Sequence, residues 1–353
     1  MKRILIATCA VFLAVFPLRA QDIHFTLYDM VPIVFNPAET GGFYGSYRLS
    51  GIYRDQWLSA FGVPDEFKTP SLSIDVPLIK GFRDQDWVGV GVMFYSDKAG
   101  SLGMSNNAFK LSAAYHLALN KQGTSVLAFG YQTGSVQRRL TINGLENILL
   151  ESDLFNPGAY ANDPSIQNAL GGPQGGGDPE LSKGYTDHVG GLHLKVQSDR
   201  ANLIQIGVSV AHIGGRRTVG NLLNQIYRIP MRFLGHGSWR TVRSERLALN
   251  FSGFVQTYDK ANEIMVQGTG EFLFNEEKRT VLIGGVGYRL GDALQVLAGI
   301  QIKDVKVMLS YDLNTSRYTP ATGTFGGFEI SAMYIGTIYK RPDPDPVLFC
   351  PRF

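Results

Sequence analysis

The sequence predicts an all-β fold: a transmembrane outer-membrane β-barrel of about 14 antiparallel strands. Three observations predict it. From about residue 44 onwards, roughly fourteen stretches alternate apolar and polar residues, a secretory signal precedes them, and no stretch is apolar enough for a membrane helix. In hydrocarbon every backbone N–H and C=O must be paired within the protein, so a closed sheet is the main alternative to a helix.

The first twenty residues have the parts of a signal peptide. Lys2 and Arg3 make the start positive, residues 4–16 are mostly apolar, and Leu18-Arg19-Ala20 is an acceptable cleavage site. We therefore expect cleavage near Ala20. The alternative is a retained anchor helix, but the apolar run is short for crossing a membrane.

The composition argues against several classes of protein. Loss of Lys2, Arg3 and Arg19 with the signal peptide leaves 30 basic residues against 30 acidic ones. Such a balance argues against a nucleic-acid partner, which requires a basic excess. Only one cysteine, Cys350, then remains, so the fold does not depend on an internal disulfide. The 41 glycines, 21 Phe, 16 Tyr and 3 Trp suit turns and membrane borders of a barrel.

The alternation defines two faces of each strand. Ile204, Ile206, Val208 and Val210 share one face, and polar or small residues share the other. One face is expected to contact outer-membrane lipid and the other the lumen, because successive side chains of a strand point to opposite sides. The predicted strands are 44–56, 67–78, 86–97, 104–118, 123–137, 185–197, 202–213, 229–241, 246–258, 262–274, 279–290, 292–302, 304–313 and 325–339.

Strand length and loop order favour the barrel over a soluble β-sandwich. Sandwich strands average about five or six residues, whereas these are about twice as long, as a tilted crossing of a membrane requires. The long connections are 57–66, 138–184, 214–228 and 314–324, and all of them have an odd index along the chain. Because bacterial barrels have short periplasmic turns and longer outer loops, the long connections are expected outside the cell.

Four segments make up the predicted organisation. They are a signal peptide at 1–20, an N-terminal periplasmic or plug-like segment at 21–43, the barrel at 44–340 and a C-terminal periplasmic tail at 341–353. Prolines in the second segment argue against a strand there. Its apolar content indicates packing under or inside the barrel, and a disordered leader is the alternative. Prolines also make the start of the tail a stiff, extended spacer.

No motif for catalysis, a cofactor or a metal stands out. The six histidines are scattered without ligand spacing, and the sequence lacks a nucleophile elbow, a phosphate loop and a Cys-x-x-Cys pair. We therefore expect no enzyme activity, no cofactor and no metal site.

The loop 138–184 is the first candidate for partner binding. Loops of this length without a role of their own are uncommon. Its candidate residues are Phe155, Asn156, Pro157 and Tyr160. Their apolar and aromatic groups suit either an anchor for a partner or a cap over the barrel mouth.

Lumen-facing arginines are the second candidate. Arg48, Arg54, Arg232 and Arg240 fall on the polar face by parity, among charges of both signs. They suit a solvated, ion-paired interior or a dock for a polypeptide. The mixed signs argue against a strongly ion-selective pore.

Three landmarks resemble one family. They are Asn36-Pro37-Ala38 before the first strand, Tyr53-Arg54-Asp55-Gln56-Trp57 at its end, and the terminal Cys350-Pro351-Arg352-Phe353. With the signal peptide and the barrel, the chain resembles the PorP/SprF family of type IX secretion system outer-membrane proteins of Bacteroidetes over essentially the whole mature chain. The resemblance implies a non-enzymatic barrel that works with this secretion machinery.

The resemblance also implies protein partners. The SprF kind supports export and cell-surface anchoring of a large secreted surface protein or adhesin with a C-terminal signal domain, often in gliding motility. The PorP kind associates with periplasmic type IX components. The long outer loop favours the SprF kind. The tail Cys350–Phe353 is a candidate docking site, and its last residue also resembles the terminal aromatic read during barrel insertion. The alternative function is a general diffusion porin or solute channel, with an open lumen.

Overall fold

A computed structural model defines the wall of the protein and most of its N-terminal segment. The residues it describes are 23–56, 67–80, 83, 85–99, 104–141, 180–199, 201–214, 217–218, 227–258, 261–316 and 324–338. The predicted signal peptide, most of the long outer loop and the predicted tail lie outside these residues.

Fourteen strands form the wall. Their bounds are β1 (Tyr47–Gln56), β2 (Phe67–Lys80), β3 (Trp87–Ala99), β4 (Met104–Ala118), β5 (Ser125–Thr141), β6 (Glu180–Gln197), β7 (Asn202–Ala211), β10 (Arg232–Val242), β11 (Leu247–Tyr258), β12 (Ala261–Asn275), β13 (Thr280–Arg289), β14 (Ala293–Ile302), β15 (Val305–Asn314) and β16 (Phe325–Gly336). Two short strands, β8 (Arg217–Thr218) and β9 (Tyr227–Arg228), pair with each other outside the wall.

The wall closes on itself. Every neighbouring pair of wall strands is antiparallel, and β1 pairs with β16 from Tyr47 opposite Gly336 to Gln56 opposite Gly327. Closure leaves no sheet edge with unpaired backbone groups, as hydrocarbon requires. The prediction of a barrel with about 14 antiparallel strands is confirmed.

The two faces differ as the alternation predicts. On β7 the side chains of Ile204, Ile206 and Val208 are 40%, 55% and 50% exposed, whereas Ser209 is buried on the inner side. Apolar side chains are therefore uncovered on the outside, where lipid replaces water, and polar groups point into the lumen.

The two ends of the barrel differ in the length of their connections. We call the end with the short turns, such as 119–124 and 243–246, the lower end, and the opposite end the upper end. At the upper end β5 and β6 run further than predicted and pair as far as Thr141 opposite Glu180. The connection is thus 142–179 rather than 138–184. Strand segments that project above the hydrocarbon need no apolar face, so the alternation does not reveal them.

Residues 23–42 lie inside the barrel, and we call them the plug. The plug contains three single turns of helix, at Tyr28–Met30, Pro32–Phe35 and Pro37–Glu39. Two of these turns begin with proline, whose fixed φ suits the first helical position and whose missing N–H costs nothing there. Within the described residues, no helix has the length and apolar character needed to span a membrane.

Candidate functional site: a plugged lumen

The middle of the plug forms an apolar core within the lumen. The Tyr28 ring meets Phe254 of β11 edge-on, with centroids 5.2 Å apart, and Phe25 meets Phe35 in the same way at 6.1 Å. Such edge-to-face pairs add to the stabilisation from burial. The plug side chains that are at most 2% exposed include Phe25, Leu27, Met30, Val31, Ile33 and Phe35.

The upper part of the plug is held by two carboxylates, and we call this contact the upper anchor. The backbone N–H groups of Thr26 and Leu27 donate to the two oxygens of Glu329, each at 2.8 Å. The Thr26 hydroxyl donates to Asp312 Oδ1 at 2.8 Å. Backbone donors without a helix or sheet partner are satisfied in this way.

Arginines balance the carboxylates of the upper anchor. Arg54 pairs with Glu329 and lies 3.3 Å from Asp312, and Arg289 lies 3.0 Å from Asp312. All four side chains are at most 4% exposed. A buried carboxylate is costly without a counter-charge, so the arginines are what allow Glu329 and Asp312 to reach the plug.

Asn36 holds the middle of the plug against the wall. Its Oδ1 accepts the N–H of Ala38 at 3.0 Å, which caps the turn at Pro37–Glu39. Its Nδ2 donates to the Leu192 carbonyl at 3.0 Å and lies 3.0 Å from Nε2 of His236. The Asn36-Pro37-Ala38 landmark thus joins a local turn to strands β6 and β10.

The lower part of the plug is held by one ion pair. The N–H of Gly41 donates to Asp75 Oδ2 at 2.7 Å. Arg48 donates to both oxygens of Asp75, at 2.9 and 2.7 Å, and also to the Glu39 carbonyl at 3.0 Å. This bidentate pairing fixes the orientation of the Asp75 carboxylate.

Two aromatic side chains complete this contact, which we call the lower anchor. Trp87 donates its indole N–H to the Gly41 carbonyl at 2.8 Å, and His116 Nε2 lies 2.7 Å from the Thr40 carbonyl. Because a carbonyl only accepts, Nε2 carries the proton of that contact. The two rings stack with centroids 4.5 Å apart.

The plug backbone lies directly on the wall at glycines. A Cβ at Gly89 would fall within 3.0 Å of the Thr40 backbone, and one at Gly130 within 3.0 Å of the Ala38 backbone. Gly41 itself has φ +70°, a conformation that glycine adopts without strain. These positions leave no room for a side chain between the plug and the wall.

A polar cluster around Asp86 lies at the lower rim of the barrel, next to Trp87 of the lower anchor. Arg83 donates twice to Asp86, each at 3.0 Å, while the Tyr115 hydroxyl donates at 2.7 Å and the Ala118 N–H at 2.9 Å. The hydrogen bonds from Arg83, followed by the other donors, hold the pKa of Asp86 below its ordinary range despite the opposing effect of burial. Asp86 directly precedes Trp87 and so fixes the start of β3.

A family comparison now identifies the barrel. A family model described as type IX secretion system membrane protein PorP/SprF matches residues 18–334. The chain belongs to the PorP/SprF family. The match covers the plug and nearly the whole wall, so the resemblance predicted from the sequence is confirmed, and the SprF-like assignment stays a prediction.

Solved structures resemble this PorP/SprF protein in fold. The P. putida toluene transporter TodX has a TM-score of 0.50 at 11% identity, with 88% of this chain and 94% of that chain covered. The Ralstonia pickettii toluene transporter TbuX has a TM-score of 0.49 at 12% identity, with the same coverage. At such identities the likeness to TodX shows the fold alone. No curated protein matches the sequence.

The structure places the predicted arginines of this PorP/SprF protein in different surroundings. Arg48 and Arg54 belong to the lower and upper anchors, and Arg232 is buried on the inner face of β10. Arg240 is 43% exposed and pairs with Glu271 at 2.7 Å. Partner binding by these arginines stays a prediction. The remaining predicted residues lie outside the described residues: Phe155, Asn156, Pro157, Tyr160, Cys350, Pro351, Arg352 and Phe353.

Sequence reasoning missed the groups to which the plug binds. Asp75, Glu329, Trp87 and Arg289 each contact the plug or its anchoring carboxylates, and none of them was predicted as a site residue. A charged residue on the inner face of a strand has many potential partners. In the part of the chain that the structure describes, no three His, Cys, Asp or Glu side chains converge as metal ligands would.

Proposed function

We propose that this outer-membrane PorP/SprF protein is a non-enzymatic docking partner for a specific secreted surface protein or adhesin. It binds the C-terminal sorting domain of that protein and supports its export and cell-surface anchoring, including that of adhesins used in gliding motility. The signal peptide is removed near Ala20 in this proposal. One observation carries it: the protein's own residues 23–42 occupy its lumen.

An occupied lumen supports docking rather than transport of solutes through the barrel. The plug has an apolar core and buried hydrogen bonds at both anchors. Removal of the plug from the lumen would break these contacts, expose apolar groups to water and leave buried charges unpaired. Each of these changes costs free energy. The surfaces that remain available to a partner are therefore those at the two ends of the barrel.

The proposed contacts are divided between these ends. At the upper end, Phe155, Asn156, Pro157 and Tyr160 of the long connection supply aromatic and apolar anchors for the secreted partner. At the lower end, the tail Cys350–Phe353 contacts periplasmic components of the type IX machinery. Arg48 and Arg54 support docking indirectly, because they hold the plug in place.

The alternative is a general diffusion porin or solute channel. TodX is described as a toluene transporter, but a shared fold does not carry a substrate with it. A channel role requires the plug to leave the lumen or to open a path beside it. Conductance of the purified protein in planar bilayers therefore separates the two functions.

Cross-linking in the native outer membrane tests the proposal. The full chain, tagged on the predicted tail spacer, is cross-linked, purified and subjected to mass spectrometry. We expect one large secreted protein with a C-terminal sorting domain to be recovered, with recovery reduced by F155A/Y160A and unchanged by the exposed-turn variant Glu277→Ala. A steady open-channel conductance without such a protein would overturn the proposal.

A second variant tests the tail. Removal of residues 347–353 is expected to leave barrel insertion normal and to impair export of the secreted partner. If insertion is lost instead, the tail serves assembly of the barrel, and its docking role is rejected.

A further inference from the structure

A row of charged residues crosses the outer face of one half of the wall at its upper end. We call it the upper row, and its members stand opposite one another on strands β1–β5: Asp55, Lys68, Lys98, Ser105 and Arg139. They lie on the outer face because they share the parity of exposed apolar residues farther down their strands, which are Leu49, Leu72, Phe94, Phe109 and Tyr131. The upper row therefore holds three cations and one acid.

Two of these cations have no acid directly opposite them in the sheet. Lys98, which is exposed, stands opposite Lys68 on one side and Ser105 on the other. Arg139 stands opposite a serine on each of its neighbours. The acid of the row, Asp55, is only 7% exposed. Like charges directly opposite in a sheet are destabilising, so an anion that approaches both lysines would stabilise the pair.

The groups below the upper row change from polar to apolar along each strand. One row lower on the outer face, the Ser96 hydroxyl donates to Asn107 Oδ1 at 2.6 Å, and Gln137 Oε1 accepts from Arg139 at 3.2 Å. One row lower again is the ring of Phe94, about 13 Å along the strand from the upper row. This order, from cation to polar group to apolar group, matches the order from headgroup to acyl chain in a membrane lipid.

The opposite half of the wall has a different upper border. On β10–β15 the described outward residues nearest the upper end are uncharged, and they are Phe233, Thr257, Asn262, Tyr288, Leu294 and Leu313. A general requirement of the membrane border would apply to the whole perimeter. Cations on one half alone therefore indicate a particular ligand on that side.

We propose that the outer face of β1–β5 binds a phosphorylated lipid of the outer leaflet. Lys68, Lys98 and Arg139 contact the phosphate by charge-assisted hydrogen bonds, and the exposed rings of Phe94 and Phe109 pack against the acyl chains. Clusters of basic residues at a membrane border attract anionic headgroups, and the long side chains of lysine and arginine reach down to them. The upper end is taken as the outer one, as the long connections predict. This lipid site is independent of the proposed secreted partner.

Native mass spectrometry of the purified full chain in detergent tests the proposal. Dioleoyl phosphatidic acid is compared with dioleoylglycerol, which has the same chains and no phosphate, and with inorganic phosphate. We expect saturable retention of phosphatidic acid that weakens as the salt concentration is raised, and little retention of dioleoylglycerol. Displacement of the lipid by an equal concentration of inorganic phosphate would identify a site for a free anion and reject the lipid.

Variants connect retention of the lipid with the cations of the upper row. Lys98→Gln is expected to weaken retention of phosphatidic acid about fivefold, and the triple variant K68Q/K98Q/R139Q about tenfold or more, because each cation contributes separately to the attraction. Circular dichroism establishes that each variant keeps the β-content of the wild type.

A second triple variant is the matched control. K121Q/K278Q/K303Q removes the same number of positive charges from exposed turns at the lower end, so it should retain phosphatidic acid as the wild type does. Equal retention by the two folded triple variants would reject the lipid site. Equal retention of phosphatidic acid and dioleoylglycerol by the wild type would also reject it.

Discussion

The two anchors hold the same plug by different chemistry. At the upper anchor, two arginines and two carboxylates from four strands form one buried network, to which the plug contributes two backbone N–H groups and a hydroxyl. At the lower anchor, a single ion pair is joined by neutral hydrogen bonds from Trp87 and His116, and the backbone lies against Gly89. The upper anchor therefore depends on charge balance and the lower anchor on close fit.

The positions of the two anchors along the chain add to this difference. Gly41 is followed by β1 after five residues, so the lower part of the plug is tethered to the wall whatever its contacts. Thr26 is separated from β1 by 20 residues, so this tether restrains the upper part much less and the contacts of the upper anchor matter more. A release of the plug should therefore begin at the upper anchor, where one missing charge unbalances the others.

The largest effect is expected from Glu329→Ala. The variant removes both acceptors of the Thr26 and Leu27 N–H groups and leaves Arg54 with Asp312 only. Loss of one partner from a buried charged group costs about 3–5 kcal/mol. Amide exchange at Thr26 and Leu27, measured by mass spectrometry, should therefore accelerate by on the order of 100-fold or more.

Amide exchange at Gly41, in the lower anchor, is the internal control of the same experiment. Gly41 should keep its exchange rate in Glu329→Ala, because Asp75 and Arg48 are untouched. Glu277→Ala on an exposed turn should change neither end. Equal acceleration at Leu27 and Gly41 would mean that the plug moves as one unit, and the distinction between the anchors would be lost.

An intermediate effect is expected from Gly89→Ala. Its new Cβ would fall within 3.0 Å of the Thr40 backbone, so the lower part of the plug must shift. Overpacking of this kind costs about 1–3 kcal/mol, and exchange at Gly41 should rise about tenfold while that at Leu27 stays constant. The matched control is Gly284→Ala, because a Cβ there has no neighbour within 4 Å. Similar exchange in the two variants would show that close fit does not hold the lower anchor.

The wall could be predicted from the sequence because it depends on a local pattern. On β7 the apolar residues Ile204, Ile206 and Val208 alternate with polar or small ones. The polarity of each residue alone therefore indicates whether it faces lipid or the lumen. The upper ends of β5 and β6 were missed for the same reason. Outside hydrocarbon, no apolar face marks a strand.

The anchors could not be predicted, because they depend on distant pairs. Leu27 and Glu329 are 302 residues apart along the chain, and Gly41 meets Asp75 only because β1 and β2 place Arg48 beside it. Parity placed Arg48 and Arg54 in the lumen without naming their partners. Asn36 was singled out as part of a motif, but its role required the positions of Leu192 and His236.

The smallest effect is expected from Asp86 at the lower rim, and it tests whether ionisation of this carboxylate stabilises the lower anchor. The pKa of Asp86 is depressed, chiefly by hydrogen bonds from Arg83. Because the folded pKa lies below the unfolded value of about 3.9, the carboxylate stabilises the fold above about pH 4. This stabilisation is lost as the pH falls through the folded pKa.

The measurement is the difference in melting temperature between the wild type and Asp86→Asn in detergent. We expect a difference of roughly a few °C at pH 6 that shrinks on acidification to pH 3. Below about pH 4 the unfolded wild type takes up a proton at Asp86 that the folded protein does not yet bind, whereas the amide of the variant does not titrate. Glu245→Gln on an exposed turn is the control and should show no such trend. A difference that stays constant across this range would mean that ionisation of Asp86 does not support the rim, and that Trp87 holds Gly41 without its help.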